Sequence, residues 1–267
     1  MKSNITIRDI SNFLDKTIPL SWQESYDNAG LLYGNKDTIC TGIYVCFDIN
    51  SEIIDKAIEN NCNFVVSHHP LVYKSLKKFT SEDNVTTTLT KAIENKVALY
   101  AAHTNLDSAS NMGVNTLLAE KIGLKNIRPL HKENISDSGY FGLGAIGELE
   151  KEEEATVFLK KVKEILNIHN IKYVKGKRNK LKTIALCGGS GTDFVNEAIE
   201  AEVDCFLTGD VKYHQFLDCE NRLLLADIGH FESECFIKEY LISLLSEKFC
   251  NFVPLFLDNS ANHIMNI

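Results

Sequence analysis

The sequence predicts an α/β fold built from two lobes, and three observations carry that reading. Apolar, β-rich runs alternate with helical segments between residues 42 and 103, and the same rhythm returns between 181 and 229. The unusual polar residues fall at the ends of those runs rather than within them. Four prolines in the whole chain and no low-complexity segment leave no flexible linker, so the lobes are expected to pack against each other.

In order, residues 6–16 read as a capped amphipathic helix with Ile7, Ile10, Phe13 and Leu14 along one side. Residues 22–34 read as a loop leading into a short strand. Residues 42–48 form the first buried strand, 51–61 a helix, 63–67 a second strand, 84–95 a helix and 97–103 a third strand. After the midpoint, 140–149 reads as a strand and 152–166 as an amphipathic helix. The second alternating series follows: strand 181–187, helix 192–201, strand 204–209, short helix 211–219 and strand 222–229. A helix over 232–248 and an apolar strand over 250–257 close the chain. The expected division is a lobe over 1–130, a second over 131–228, and a helix and strand over 229–267 that pack back on them.

Composition narrows the function classes. With 44% hydrophobic and 24% charged residues, the chain has the profile of an ordinary globular protein. No apolar stretch approaches the roughly 18 residues that span a bilayer, and the N-terminus lacks the apolar core of a signal peptide. The expectation is a cytoplasmic protein. A net charge of −8 speaks against nucleic acid as a partner. The lysine-rich run 172–182 is the local exception, with two readings: a solvated loop, or a contact for an anion. Eight cysteines are scattered without any C-x-x-C pair, which excludes a zinc ribbon and favours reduced, buried thiols at Cys46, Cys187 and Cys205.

Ligands in such folds gather at the C-terminal ends of strands. There stand His68-His69-Pro70, His103 with Asp107 four residues on, Gly209-Asp210 with His214, and His230 with Glu234. Neighbouring histidines point apart on a regular strand, so His68 and His69 converge only where the strand has ended, which Pro70 promotes. His230 and Glu234, at i and i+4, share a helical face; the alternative reading is a surface ion pair. Three histidines and two carboxylates form a mixed N/O set that suits zinc, manganese, iron or cobalt. With bridging carboxylates, five side chains suffice for two ions roughly 3.5–4 Å apart. His103, Asp210 and His214 are candidates for orienting ligands or moving protons, with a helix N-cap the equal reading of Asp210. The turn Gly188-Gly189-Ser190-Gly191 reads either as an anion nest or as an ordinary glycine turn.

At these residues the chain resembles a known family. S-H-H-P at 67–70, H-T-N-L-D at 103–107 and G-H-F-E-S-E at 229–234 are similar to the Nif-three-like dinuclear metal proteins, also called GTP cyclohydrolase I type 2 homologues. W-Q-E-S-Y-D-N-A-G-L at 22–31 and G-D-V-K-Y-H at 209–214 match in place and order. The resemblance implies two packed α/β lobes with a dimetal site between them and assembly as a ring-shaped homohexamer. It implies His68, His69, Asp107, His230 and Glu234 as ligands of two divalent ions per chain: zinc, manganese or iron. Asp210 departs from the glutamate of many relatives. Longer relatives carry a mid-chain inserted domain for which this chain has no room.

Two functions follow as expectations. One is a metal-dependent hydrolase of a small, nucleotide-like or phosphorylated substrate, with His103 and His214 moving protons. The other is a non-enzymatic metal-binding or regulatory assembly protein.

Overall fold

The structure, a computed structural model, describes residues 4–131, 134–136 and 139–265. The chain divides into two compact units: 1–106 with 237–261, and 107–236 with 262–267. The sequence had suggested a first boundary at 130 and a separate closing segment.

The first unit begins with α1 (Ile7–Thr17), where Thr6 and Asp9 form a reciprocal capping box. The chain then passes through β1 (Gly30–Tyr33), β2 (Ile43–Cys46), α2 (Ser51–Glu59), β3 (Phe64–Ser67), α3 (Asn84–Glu94) and β4 (Ala98–Ala101). A one-turn helix, α4 (Thr104–Asp107), follows. The strands order as β1, β4, β3, β2, with a late strand at the far edge described below; β1 alone runs antiparallel. Parallel strands must be covered on both faces, and they are buried throughout. Tyr44, Cys46, Val65 and Leu99 pack with Ile53, Ile54 and Ala57 of α2 and Leu89 and Ala92 of α3. The alternate residues Ile43, Val45, Phe64, Val66 and Tyr100 are equally buried on the opposite side.

The second unit contains α5 (Val114–Lys121), β5 (Lys125–Pro129), a small ribbon of β6 (Asn134–Ser136) and β7 (Gly139–Phe141), β8 (Ala145–Glu154) and α6 (Ala155–Ile165). It continues through β9 (Lys172–Val174), β10 (Lys180–Leu186), α7 (Val195–Glu200), β11 (Cys205–Thr208), α8 (Tyr213–Cys219), β12 (Leu224–Asp227) and α9 (His230–Glu234). The sheet order is β5, β8, β10, β11, β12, β9, with the central three strands parallel. Period-2 alternation divides its core: Ile184, Leu186, Cys205, Leu207, Leu224 and Ala226 on one face, Ala185, Cys187, Phe206 and Leu225 on the other.

The chain returns to the first unit with α10 (Ile237–Phe249), which packs on β2, and β13 (Leu255–Leu257), which adds a parallel edge strand beside β2.

Four expectations need correcting. The closing helix is two helices, α9 and α10, and the break at Cys235–Phe236 coincides with the passage between units. The run 140–149 is broken by Gly144, whose φ of +66° ends one strand before the next begins. The lysine-rich run is not all loop: Lys172–Val174 pairs with β12, and β10 already starts at Lys180. Lysine stems can lie along an edge while their ammonium groups stay in water, which hides such strands from polarity patterns. The helix predicted over 192–201 opens as a 3-10 turn, Thr192–Phe194.

Candidate metal-binding half-sites

In the first unit, register does the positioning. Cys46, Ser67 and Ala101 are the last paired residues of β2, β3 and β4 and stand abreast in the sheet. The residues just beyond them therefore emerge side by side: Phe47-Asp48, His68-His69 and Ala102-His103. The ladder runs on for two residues, with the His68 and His69 amides donating to the Cys46 and Phe47 carbonyls. There the pleat ends, and the Ser67 hydroxyl turns back to the His69 carbonyl at 2.7 Å. The two rings no longer diverge; their centroids lie 4.9 Å apart. His103 joins them, 5.5 Å from His68 and 5.3 Å from His69. Phe47 stacks on the fully buried His68 and leans on His69.

Each of these imidazoles is held through the same atom. Nδ1 of His68 lies 2.8 Å from the Ala102 carbonyl oxygen, that of His69 2.7 Å from Asp48, and that of His103 2.7 Å from Asp27. A carbonyl or carboxylate only accepts, so Nδ1 must be the protonated nitrogen and Nε2 carries the lone pair. Carboxylate- or carbonyl-held Nδ1 with a basic Nε2 is the arrangement that ligating histidines adopt. Burial works against the charge of Asp27, yet its hydrogen bonds from His103, Thr104 and the Asn28 amide and the electrostatic pull of the His103 ring outweigh this and hold its pKa at about 2.

The second unit repeats the device. Leu186, Leu207 and Ala226 are abreast, so the Gly188–Gly191 turn, Gly209-Asp210 and Gly229-His230 leave neighbouring strands together. His230 Nδ1 lies 2.8 Å from Asp210, and its Nε2 faces Glu234 Oε2 at 3.1 Å. With Nδ1 turned to Asp210, the helical i,i+4 spacing brings Nε2 and the Glu234 carboxylate to one point. Asp107 and Glu234 both lie near the buried Cys187 thiol, which burial first and these two carboxylates second push well above its usual pKa.

Glu234 is seated against the glycine turn. A Cβ on Gly189 would collide with its carboxylate, and one on Gly188 would come within 3.1 Å of its Cγ. Three of the turn's four amides are already taken: Gly188 donates to Asn115 Oδ1, Gly189 to Ser233 Oγ and Gly191 to Thr208 Oγ1. With those bonds made, successive N–H groups do not converge on an anion as a nest requires, and the turn packs against Glu234 instead. Asn115 also donates to the Asp107 carbonyl oxygen, tying that residue to the turn.

Asp210 is not an N-cap, because α8 starts three residues later behind Lys212. It sits instead at φ +55° with its carboxylate on His230. His214 is exposed on α8, its ring edge-on to Tyr213 at 5.3 Å. Among the described residues no hydrogen bond of His214 reaches Asp210 or His230. Asp27 and Asp48 escaped the residue-by-residue reading, although Asp27 stands inside W-Q-E-S-Y-D-N-A-G-L and Asp48 ends a predicted strand.

The profile of the family described as Duf34/NIF3 (NGG1p interacting factor 3) matches residues 5–262. The chain belongs to the Duf34/NIF3 family. Among curated Duf34/NIF3 relatives, one from Clostridium acetobutylicum called GTP cyclohydrolase 1 type 2 homolog is 33% identical over 86% of both chains. Another of that name, from Campylobacter jejuni, is 33% identical over 88% of this chain and 90% of its own. A solved hypothetical protein of Staphylococcus aureus superposes with a TM-score of 0.88 at 29% identity, over 98% of this chain and 99% of that one. A Bacillus cereus protein related to NIF3 shares the fold at a TM-score of 0.89 and 21% identity. No helix of the described residues is long and apolar enough to cross a membrane.

Proposed function

We propose that this Duf34/NIF3 protein binds two divalent metal ions per chain through His68, His69, Asp107, His230 and Glu234, and uses them as a metal-dependent hydrolase of a small substrate. The observation that carries this reading is the hydrogen-bonding pattern of these three histidines, which His103 shares. Each has Nδ1 committed to a carbonyl or carboxylate, which leaves the Nε2 lone pair as the donor. Two carboxylates complete a donor set fit for zinc, manganese or iron. Such ions supply Lewis acidity toward a carbonyl or phosphoryl group and lower the pKa of water.

The remaining work falls to the chain. His103 holds its proton at Nδ1 against Asp27, so Nε2 is the atom that takes a proton from water or returns one to a leaving group. Asp27 fixes both tautomer and ring orientation. His214 is the second candidate for proton transfer. The relatives' name, GTP cyclohydrolase 1 type 2 homolog, extends the substrate class to nucleotides, and a phosphorylated or nucleotide-like molecule is the working choice.

Elemental analysis of protein reconstituted with zinc, manganese or iron should find close to two ions per chain, and fewer after His69→Ala or Glu234→Ala. Absence of metal from the wild type overturns the proposal. In the metal-loaded enzyme, His103→Gln or His214→Gln should leave metal content intact while lowering turnover about 10²–10⁴-fold. A wild type that holds two ions but turns over nothing in a broad phosphoester and nucleotide panel favours the metal-binding or regulatory reading instead.

A further inference from the structure

We propose that Tyr73, with Tyr26 beside it, forms a stacking wall at the first unit's histidine cluster, and that this wall is what selects the planar ring of a nucleotide-like substrate. This rests on the hydrolase reading above and adds to it the side chains that would hold the substrate's ring. Tyr73 lies edge-on to His103, with centroids 6.2 Å apart and planes at 83°. Tyr26 lies edge-on to Tyr73 at 6.4 Å. Both are substantially exposed, 45% for Tyr73 and 59% for Tyr26. The exposed part of the Tyr73 ring, beside His103, is apolar area that a ligand's ring can cover.

The wall is also fixed in place. Asn28 Nδ2 donates to the Val72 carbonyl oxygen at 2.6 Å, joining the segment that carries Tyr26 to the one that carries Tyr73. Asp27, between Tyr26 and Asn28, accepts from the Asn28 amide, from His103 Nδ1 and from the Thr104 amide and hydroxyl. One bonded network thus sets the two tyrosines relative to the imidazole that moves protons. A ring laid on Tyr73 is held beside His103, which gives a reason for W-Q-E-S-Y-D-N and H-H-P-L-V-Y to meet in space. Burial, and then the Asp27 charge, push the Tyr73 hydroxyl above its usual pKa.

Adenosine, guanosine and nicotinamide mononucleotides share sugar and phosphate with ribose 5-phosphate and differ from it by the ring. Calorimetric titration of the metal-loaded protein should show at least one mononucleotide binding about tenfold or more tighter than ribose 5-phosphate. Tyr73→Ala should weaken that mononucleotide roughly ten- to hundredfold, the range for a lost base-stacking partner, and leave ribose 5-phosphate unchanged. Tyr73→Phe should bind as the wild type does, and Tyr26→Ala should show a smaller loss in the same direction. Equal binding of the sugar phosphate and all three mononucleotides, no binding of any mononucleotide, or a Tyr73→Ala protein that binds them normally overturns the wall. Metal content is measured on the same samples. A metal-free wild type sinks the proposed function, whereas Tyr73-dependent ring binding stands or falls separately.

Discussion

At the scale of single residues, the histidines of both units are defined less by their own position than by what holds their Nδ1. Asp48 and Asp210 are exposed enough to replace without opening the core, yet each fixes one imidazole. Asp48→Ala and Asp210→Ala should keep the fold by circular dichroism while weakening metal affinity about 10–100-fold in competition with a chelator. Unchanged affinity would show that the carboxylates do not orient ligands. Asp27 adds a pH signature. Its carboxyl titrates at about 2 against an ordinary 3.8, so its stabilising effect is complete above pH 4 and lost as pH falls through 2. The depression corresponds to about 2 kcal/mol at neutral pH. Asp27→Asn should therefore be less stable than wild type by about that amount at pH 7 in urea unfolding, and the gap should shrink between pH 4 and 2. A gap that holds constant with pH would remove ionisation as its cause.

At the scale of elements, strand ends place the chemistry and glycine turns hold it. Gly189, at φ +59°, sits where any side chain would strike Glu234. Gly123, at φ +85°, has open space around its missing Cβ. The pair separates two costs. Gly123→Ala should lose about 1 kcal/mol of stability, the strain of an L-residue in left-handed backbone. Gly189→Ala should lose more than that and also lower metal content, because Glu234 is displaced. Equal destabilisation with full metal content would show that Glu234 is not held by the turn.

For the whole molecule, the resemblance implies a closed ring of six chains. Light scattering should report six times the monomer mass at micromolar concentration; a monomer would rule this out. The proposal of two ions per chain is tested at the same scale. Saturating metal should raise the unfolding temperature of the full chain, because ligands that bind only the native state stabilise it by mass action.

The sequence by itself determined the two alternating α/β series, most helix positions, the buried thiols and the strand ends from which His68, His69 and His103 emerge. These are local properties: periodicity and apolar runs depend on which face of an element is covered, and a strand is continuous with the residue that follows it. Tertiary structure decided what local pattern does not encode. The edge strands Lys125–Pro129 and Lys172–Val174 carry too little apolar alternation to be seen without their partners. Asp27 meets His103 across 76 positions of sequence, and Asp210 meets His230 across 20. Neither pair is legible from spacing, because the register of neighbouring strands sets it. The glycine turn was ambiguous for the same reason. Whether its amides are open to an anion depends on Asn115, Thr208 and Ser233, which reach it only once the sheet and α9 are in place.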